Sequence, residues 1–203
     1  MRWLAPAPSV PGHSTTTFEN ANRIAMTPQS QQCSAFPPGS ALYRPPQHHF
    51  RGSLGRFATG VAVVTLDSPS GRHGLTVNSF TSVSMEPPLV QISLQRTVRS
   101  HDLIRGVPFT VNVLGAEQEP LAWQFAGRPA VDPVWIDGEF APRLAGTLSY
   151  FECTPWAEYD AGDHTLFLGE VRNFDYRQGD ALGFINGRFT TIPESAVGHE
   201  LLF

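Results

Sequence analysis

The chain has 203 residues, a formal net charge of −4 and a pI of about 5.9. This length accommodates one folded domain with an appendage. An acidic chain lacks the basic surface that binds nucleic acid or an anionic membrane, so neither partner is expected. No apolar run approaches the ~20 residues that span a bilayer, and the N-terminus lacks a secretory pattern, so a soluble, cytoplasmic protein is expected.

Three residue types narrow the chemistry further. All fourteen basic residues are arginine, which excludes mechanisms that need lysine, such as a Schiff base to pyridoxal phosphate. An anionic ligand must therefore be bound by arginine, backbone N–H groups and hydroxyl groups. The two cysteines, Cys33 and Cys153, are too few for a disulfide framework or a thiolate metal site. The histidines have no zinc-site spacing, so no metal is expected, and Cys153 is interpreted as a buried small hydrophobic residue.

The first 47 residues differ in composition from the rest. They contain eight of the eighteen prolines, with many Ser, Thr and Gln residues and little periodic apolar pattern. Such a segment cannot recover its ordering entropy by burial. Residues 1–47 are therefore predicted to be a disordered extension, and residues 48–203 to form the folded domain.

The predicted elements begin with a helix. Apolar residues recur on one of its faces: Phe50, Leu54, Phe57 and Ala58. Residues 60–66 then form a predicted buried strand and 67–74 a turn. The turn leads into a polar strand over 74–84, which completes a hairpin. A strand over 89–95 follows the break at Pro87-Pro88.

The middle of the chain alternates between short helices and a strand. Ser100 is predicted to cap the N-terminus of a short helix, and 108–114 forms the next strand. Residues 117–126 form a helix with Pro120 in its first turn. A Gly- and Pro-rich loop over 127–146 follows.

The C-terminal part is a series of strands. Residues 147–160 and 164–176 form a long hairpin, and 181–185 and 188–192 a second one around Asn186-Gly187. About seven strands with two or three short helices are too many short strands for a parallel sheet with crossover helices. The sequence predicts a mainly β fold, a small antiparallel β-barrel.

The strand over 74–84 carries short polar side chains on both faces: Thr76, Asn78, Ser79, Thr81, Ser82 and Ser84. A half-buried strand would alternate apolar and polar residues. Hydroxyl and amide groups beside exposed backbone N–H groups suit an anionic ligand such as a phosphate. The alternative is an edge strand whose Ser and Thr residues are simply solvated.

Five motifs, in order, resemble those of short-chain flavin reductases that supply reduced flavin to two-component monooxygenases. They are GRFATGVAVVT, GLTVNSFTSVSMEPPLV, FTVNVL, LAWQFAG and AGDHTLFLGEV, and the resemblance covers residues 50–192. It implies the flavin-binding split barrel, an antiparallel Greek-key barrel that forms a homodimer. The implied activity is reduction of FMN or FAD by NADH or NADPH, with a monooxygenase as partner. The rival readings are an oxidase of the pyridoxamine-phosphate type and a flavin- or haem-binding protein without NAD(P)H turnover.

The resemblance also implies a set of cofactor-binding residues. The flavin ring and ribityl chain are expected at Thr76, Val77, Asn78 and Ser79, with Ser82 and Ser84 further along the strand. The phosphate end is expected at Ser93, Leu94, Arg96, Arg99 and Ser100. Two arginines beside a capped helix N-terminus agree with an anion site, although a solvated basic face is the alternative. Phe125 is expected either near the cofactor or in the core.

For the nicotinamide nucleotide, the resemblance implies His164 within Gly162-Asp163-His164, with Arg188 and Phe189 in the same pocket. A histidine at a strand start is otherwise more often structural. The role expected of His164 is orientation, because hydride passes directly between the two rings. The loop 127–140 departs from the family pattern by being shorter, which leaves the nucleotide-binding mode open.

Overall fold

The structure is a computed structural model that describes residues 47–129 and 131–194. Its α-helices are Gln47–Leu54 (α1), Ser100–Leu103 (α2) and Glu119–Phe125 (α3), with a 3₁₀ turn at Ala116–Gln118. The strands of the first half are Thr59–Gly60 (β1), Ala62–Ser68 (β2), Gly71–Val77 (β3), Thr81–Met85 (β4), Pro88–Gln95 (β5) and Phe109–Val113 (β6). Those of the second half are Trp135–Ile136 (β7), Arg143–Leu144 (β8), Ser149–Ala161 (β9), His164–Tyr176 (β10), Ala181–Ile185 (β11) and Arg188–Ile192 (β12).

Seven strands form one antiparallel sheet in the order β3-β2-β6-β9-β10-β5-β4. Its two edge strands, β3 and β4, are consecutive in the chain. Between them the hydroxyl of Ser79 accepts a hydrogen bond from the Ser93 N–H (3.1 Å) and donates one to the Ser93 carbonyl (2.9 Å). Ser93 lies on β5, so Ser79 ties the connection between the two edges onto the body of the sheet. The mainly β, antiparallel prediction is confirmed.

The large sheet curves around the first of two apolar clusters. Its buried side chains come from the strands of the large sheet and from the turn after α2, and include Val64, Leu66, Ile92, Ile104, Phe109, Val111 and Phe167. Cys153 belongs to the same cluster, as the sequence predicted. Burial, with a smaller contribution from Glu152, raises the pKa of its thiol to about 12, so the thiol is unreactive at neutral pH.

A second apolar cluster lies beside the barrel, where α3 packs near a small sheet of order β1-β11-β12. Val61, Leu114 and Leu182 are its most buried members. Phe125, Phe184 and Phe189 pack against it from the side. This cluster fixes α3 next to β3, where Gly74 leaves room for the ring of Phe125: a Cβ at this position would lie 2.5 Å from that ring.

Three predicted elements differ from those observed. The polar strand over 74–84 is interrupted at residues 78–80, so its two halves are β3 and β4 on opposite edges of the sheet. The turn predicted over 67–74 is much shorter, because β2 and β3 extend through most of it. The loop over 127–146 contains the short hairpin β7–β8.

Buried polar groups distant in sequence hold the segment that includes this hairpin. The Leu144 N–H donates to Asn112 Oδ1 (2.9 Å), and the Phe140 N–H donates to Glu152 Oε2 (2.9 Å). Both Asn112 and Glu152 are fully buried. Satisfying buried backbone groups in this way orders a segment that composition alone marks as a loop.

The predicted first helix ends earlier than expected and faces solvent. No side chain of α1 is buried, and Phe50, Leu54 and Phe57 are 54%, 57% and 77% exposed. The apolar face was correctly predicted as a pattern, but it does not pack on the core of its own chain. The predicted disorder of residues 1–46 lies outside the described residues, while Gln47 already begins α1. No helix in the described ranges is long and apolar enough to cross a membrane.

Gly169→Ala is expected to destabilise the barrel by about 1–3 kcal/mol, because overpacking a filled core forces side chains and backbone to shift. A Cβ at this position on β10 would lie 2.6 Å from Phe109 Cζ and 2.7 Å from Cys153 Cβ. Urea unfolding gives the free energy. Gly60→Ala is the matched control, because nothing lies within 4 Å of the added Cβ there. Equal midpoints for the two variants would contradict the described packing.

Candidate functional site

Two adjoining cavities meet at the end of β3 and share the residues Thr76, Val77 and Asn78. We call the first, of about 280 Å³, the aromatic lobe; its other lining residues are Val61, Trp123, Ala126, Phe184, Gly187 and Phe189. We call the second, of about 220 Å³, the polar lobe; its other lining residues are Leu75, Ser79, Ser93, Leu94, Gln95, Val98 and His164. Together the two lobes form the groove.

The wall that the lobes share is a free sheet edge. In the large sheet β3 pairs with β2 on one side, and its other edge carries backbone N–H and C=O groups without a strand partner. The Thr76 hydroxyl donates to the Ala122 carbonyl (2.7 Å). Since the Ser79 proton is likewise used, on Ser93, neither hydroxyl has a proton left to donate. The exposed amide of Asn78 has no partner among the described residues, so this side chain and the backbone remain to bind a ligand.

His164 enters the polar lobe from the start of β10, where it pairs with Gln95 of β5 and Ala161 of β9. Its Nδ1 lies 2.7 Å from Asp163 Oδ1. The hydrogen bond from His164 is the main cause that lowers the pKa of Asp163 below its ordinary value, so the carboxylate is ionised at neutral pH. An ionised carboxylate only accepts hydrogen bonds, so Nδ1 carries a proton and Nε2 of a neutral ring is an acceptor.

The predicted anion site is changed by the structure in two respects. Ser100 does not cap α2: the N-cap is Arg99, and the buried Ser100 hydroxyl lies 2.7 Å from His73 Nε2. Arg96 pairs with Asp160 (2.8 Å). The helix has only four residues, which is too short for a helix-terminus anion site. Unlike Arg96, Arg99 has no ion-pair partner among the described residues.

Arg99 also affects a neighbouring histidine. Burial lowers the pKa of His73, and the positive charge of Arg99 lowers it further. His73 is therefore neutral at neutral pH, which allows it to share a hydrogen bond with Ser100 without adding a charge beside Arg99.

The other predicted residues are distributed around the groove. Ser82 and Ser84 lie on β4 and do not line either lobe. Phe125 packs against the second cluster and Trp135, with ring centroids 5.9 Å apart, so it belongs to the core. Arg188 is exposed between two residues that line the aromatic lobe. Gly162 and Asp163 form the exposed hairpin turn before His164, and the Asp163 carbonyl accepts a hydrogen bond from the Arg96 N–H (3.0 Å).

Beyond the three shared residues, sequence reasoning predicted only Phe189 of the residues that line the aromatic lobe. Trp123 and Phe189 meet edge to face with centroids 5.0 Å apart, and Phe184 meets Phe189 at 5.5 Å. One signal was present: Trp123 and Phe125 are two residues apart on a helix and so lie on nearly opposite faces. Because Phe125 faces the core, Trp123 must face elsewhere, and it faces the groove.

A planar heteroaromatic ligand fits this arrangement. A free strand edge offers alternating donors and acceptors to the polar edge of a ring system, and the aromatic lobe offers faces for stacking. Two adjoining lobes accommodate two ring systems next to each other. In the described ranges no cluster of three or more His, Cys, Asp or Glu residues is placed to hold a metal ion.

Comparison with known proteins agrees with this geometry. The chain is 45% identical over 144 residues to the FMN reductase (NADH) SmoA of Agrobacterium fabrum, covering 69% of this chain and 83% of that protein. It is 34% identical over 144 residues to the reductase component of 4-nitrophenol 4-monooxygenase/4-nitrocatechol 2-monooxygenase of Rhodococcus opacus, covering 69% and 78%.

The structure is similar to the NADH:FAD oxidoreductase SgcE6 of Streptomyces globisporus, which was solved in complex with NAD and FAD fragments. The TM-score is 0.69 at 38% identity, over 74% of this chain and 94% of that one. The split barrel that the motifs implied is therefore confirmed. The family described as a flavin reductase like domain matches residues 54–193, more than half of the chain, and the protein belongs to that family.

Proposed function

We propose that the groove at Thr76–Asn78 is the site at which this protein reduces flavin with a nicotinamide nucleotide. The protein is an NAD(P)H:flavin oxidoreductase that reduces FMN or FAD and supplies the reduced flavin to a monooxygenase, as its family membership supports. The location of the site is supported by one observation: a polar lobe and an aromatic lobe adjoin at the same three residues of a free strand edge.

Each part of the groove has a task in this proposal. The β3 edge and the Asn78 amide bind the polar edge of the flavin, while Val77, Ser79, Ser93 and Leu94 shape the polar lobe around it. Arg99 provides positive charge for the phosphate end. When bound, the flavin supplies the acceptor for the hydride that leaves the nicotinamide. The residues themselves hold the two rings in contact and exclude water between them.

His164 acts by orientation. With Nδ1 held by Asp163, the ring has a fixed direction and presents Nε2 as an acceptor, which suits a donor such as the carboxamide of a nicotinamide. Phe189 and the neighbouring Arg188 border the aromatic lobe on the side of the β11–β12 turn. No proton has to move through His164, because hydride transfer between the rings needs none from it.

The monooxygenase partner agrees with the R. opacus relative, which is the reductase component of a monooxygenase. We propose the cytoplasm as the compartment, since the reaction consumes nicotinamide nucleotide and the chain has too few cysteines for a disulfide framework.

We further propose a homodimer. Large apolar side chains are exposed on α1, just after it and on the sheet: Phe50, Leu54, Phe57, Met85, Phe174 and Tyr176, the last three 90%, 64% and 79% exposed. Monomers rarely expose this much apolar surface without covering it in an assembly.

Sedimentation at micromolar concentration is expected to give a species of ~44 kDa, twice the 22.2 kDa of the chain. Leu54→Glu places a charge on the exposed apolar face of α1 and is expected to shift the protein toward monomer, while Arg56→Glu is the control on the exposed segment next to it. A wild-type species of one chain mass, with and without flavin, would contradict the dimer.

The activity is tested by a steady-state assay that crosses NADH and NADPH with riboflavin, FMN and FAD. At least one pair is expected to turn over far above the uncatalysed rate. If no pair does, the reductase proposal fails, and a binding protein or an oxidase with the same barrel becomes the better reading.

A further inference from the structure

Arg128 follows α3 and lies over a side chain of the groove. Its guanidinium carbon is 4.7 Å from the ring centroid of Trp123, which lines the aromatic lobe. Trp123 is fixed in turn, because its Nε1 donates to Glu119 Oε1 (3.1 Å) and its ring meets Phe189. A guanidinium stacked on a fixed ring loses little further freedom when it binds a ligand.

Arg128 forms no ion pair with any carboxylate that the structure describes. In the part that the structure describes, five arginines pair with carboxylates: Arg72, Arg96, Arg105, Arg172 and Arg177. No described carboxylate pairs with Arg128. Of the described arginines, it is also the one whose guanidinium stacks on a side chain that lines the groove.

An acidic enzyme that binds an anionic dinucleotide needs local positive charge at its site. Arg99 follows Val98 at the polar lobe, and Arg128 lies over Trp123 of the aromatic lobe. Arg188 lies between two residues that line the aromatic lobe, Gly187 and Phe189. Each lobe thus has an arginine beside it that pairs with no described carboxylate. If Arg99 meets the flavin phosphate, Arg128 is left for the anionic part of the other substrate.

We propose that Arg128, held by Trp123, binds the diphosphate of the nicotinamide dinucleotide and sets the affinity for that substrate. The inference rests on the proposed function: it places the diphosphate of the nicotinamide nucleotide at the aromatic lobe, while the nicotinamide ring lies where the two lobes adjoin, within reach of His164. A planar guanidinium donates two parallel hydrogen bonds to phosphate oxygens, which an ammonium cannot reproduce.

The test compares Arg128→Gln and Arg128→Lys with Arg72→Gln. Arg72 is a matched control because it too lies over a tryptophan, Trp135 at 5.7 Å, but it pairs with Asp137 outside the groove. Arg128→Gln is expected to raise KM for NADH about tenfold with kcat within about twofold, as for loss of one charge-assisted contact. In Arg128→Lys, KM for NADH should lie between the values for wild type and Arg128→Gln. In Arg72→Gln, it should match that of wild type.

Two further experiments distinguish binding of the NADH diphosphate from binding of the FAD diphosphate. With riboflavin, which carries no phosphate, as the flavin, the rise in KM for NADH should persist. A rise confined to KM for FAD would assign Arg128 to the flavin and overturn the proposal. Calorimetric titration with NAD⁺ and with ADP-ribose gives a readout without turnover, and affinity for both should fall about tenfold in Arg128→Gln.

Salt provides a check within the wild-type protein. KM for NADH should rise with ionic strength in wild type and less steeply in Arg128→Gln, because the screened interaction has been removed. Unchanged KM, unchanged affinity and an unchanged salt slope in Arg128→Gln would overturn the proposal. This outcome is distinct from failure of the reductase function, in which wild type itself would show no turnover.

Discussion

Ala126→Trp is expected to lower kcat/KM for flavin reduction by about a hundredfold or more, because displacing a bound ring by even 1 Å costs on this order. Ala126 lines the aromatic lobe at the C-terminal end of α3, and an indole there would fill much of a cavity of about 280 Å³. The measurement is steady-state kinetics, with a melting curve to show that the variant folds.

A matched control places the same bulk elsewhere. Ala157 lines a surface cavity of about 180 Å³ on β9, away from the groove. Ala157→Trp should keep activity within about threefold of wild type, as expected for a change remote from the site. If both variants retain activity, the aromatic lobe is not part of the site; if both lose it equally, the effect is a general one on folding.

His164→Ala is expected to lower kcat/KM for the nicotinamide nucleotide by about tenfold to a hundredfold while flavin affinity changes only a few-fold, since it removes an orienting contact. Asp163→Asn should also lower kcat/KM, because an amide can donate to Nδ1 and so stabilise the wrong tautomer. The loss should be smaller than in His164→Ala, since the imidazole ring is still present. Stopped-flow reduction under anaerobic conditions separates binding from hydride transfer.

The control for His164→Ala and Asp163→Asn is His49→Ala on the exposed α1. The rate of flavin reduction in His49→Ala should equal that of wild type. Unchanged reduction kinetics in His164→Ala would return His164 to a structural role at the start of β10, and a loss of flavin affinity as large as the loss for the nucleotide would place it on the flavin instead.

Most of the fold could be predicted from the sequence, because its strands show clear alternation of residue types and clear turn signals. The hairpin of β9 and β10 was predicted from two long alternating segments with a tight turn between them, and β11 and β12 from Asn186-Gly187, where Asn186 has a φ of 52°. These signals are local, since each depends on residues next to one another in the chain.

The parts that were missed depend on partners distant in sequence. Nothing near Thr76 indicates that its hydroxyl donates to Ala122, and nothing near Ser100 indicates that it meets His73, 27 positions earlier. A Ser before a short helix has the pattern of an N-cap whether or not its hydroxyl is used elsewhere. The same applies to Arg96, whose local sequence contains no sign of Asp160.

The candidate site shows the same division. The polar lobe was predicted from a strand rich in hydroxyl groups, but most of the aromatic lobe was not, because Trp123 and Phe184 have the pattern of ordinary core residues. Only the packing of Phe125 against Gly74 and Trp135 leaves Trp123 to face the groove. Apolar periodicity identifies a buried face without showing whether protein or ligand covers it.

The most direct test of the account is an experimental structure of the protein with bound flavin and NAD⁺. The account predicts the flavin ring along the edge of β3 at Thr76–Asn78, the nicotinamide beside it within reach of His164, and a diphosphate at Arg128. A flavin bound away from Thr76–Asn78, for example in the cavity of about 230 Å³ lined by Arg143, Tyr150 and Arg177, would contradict it.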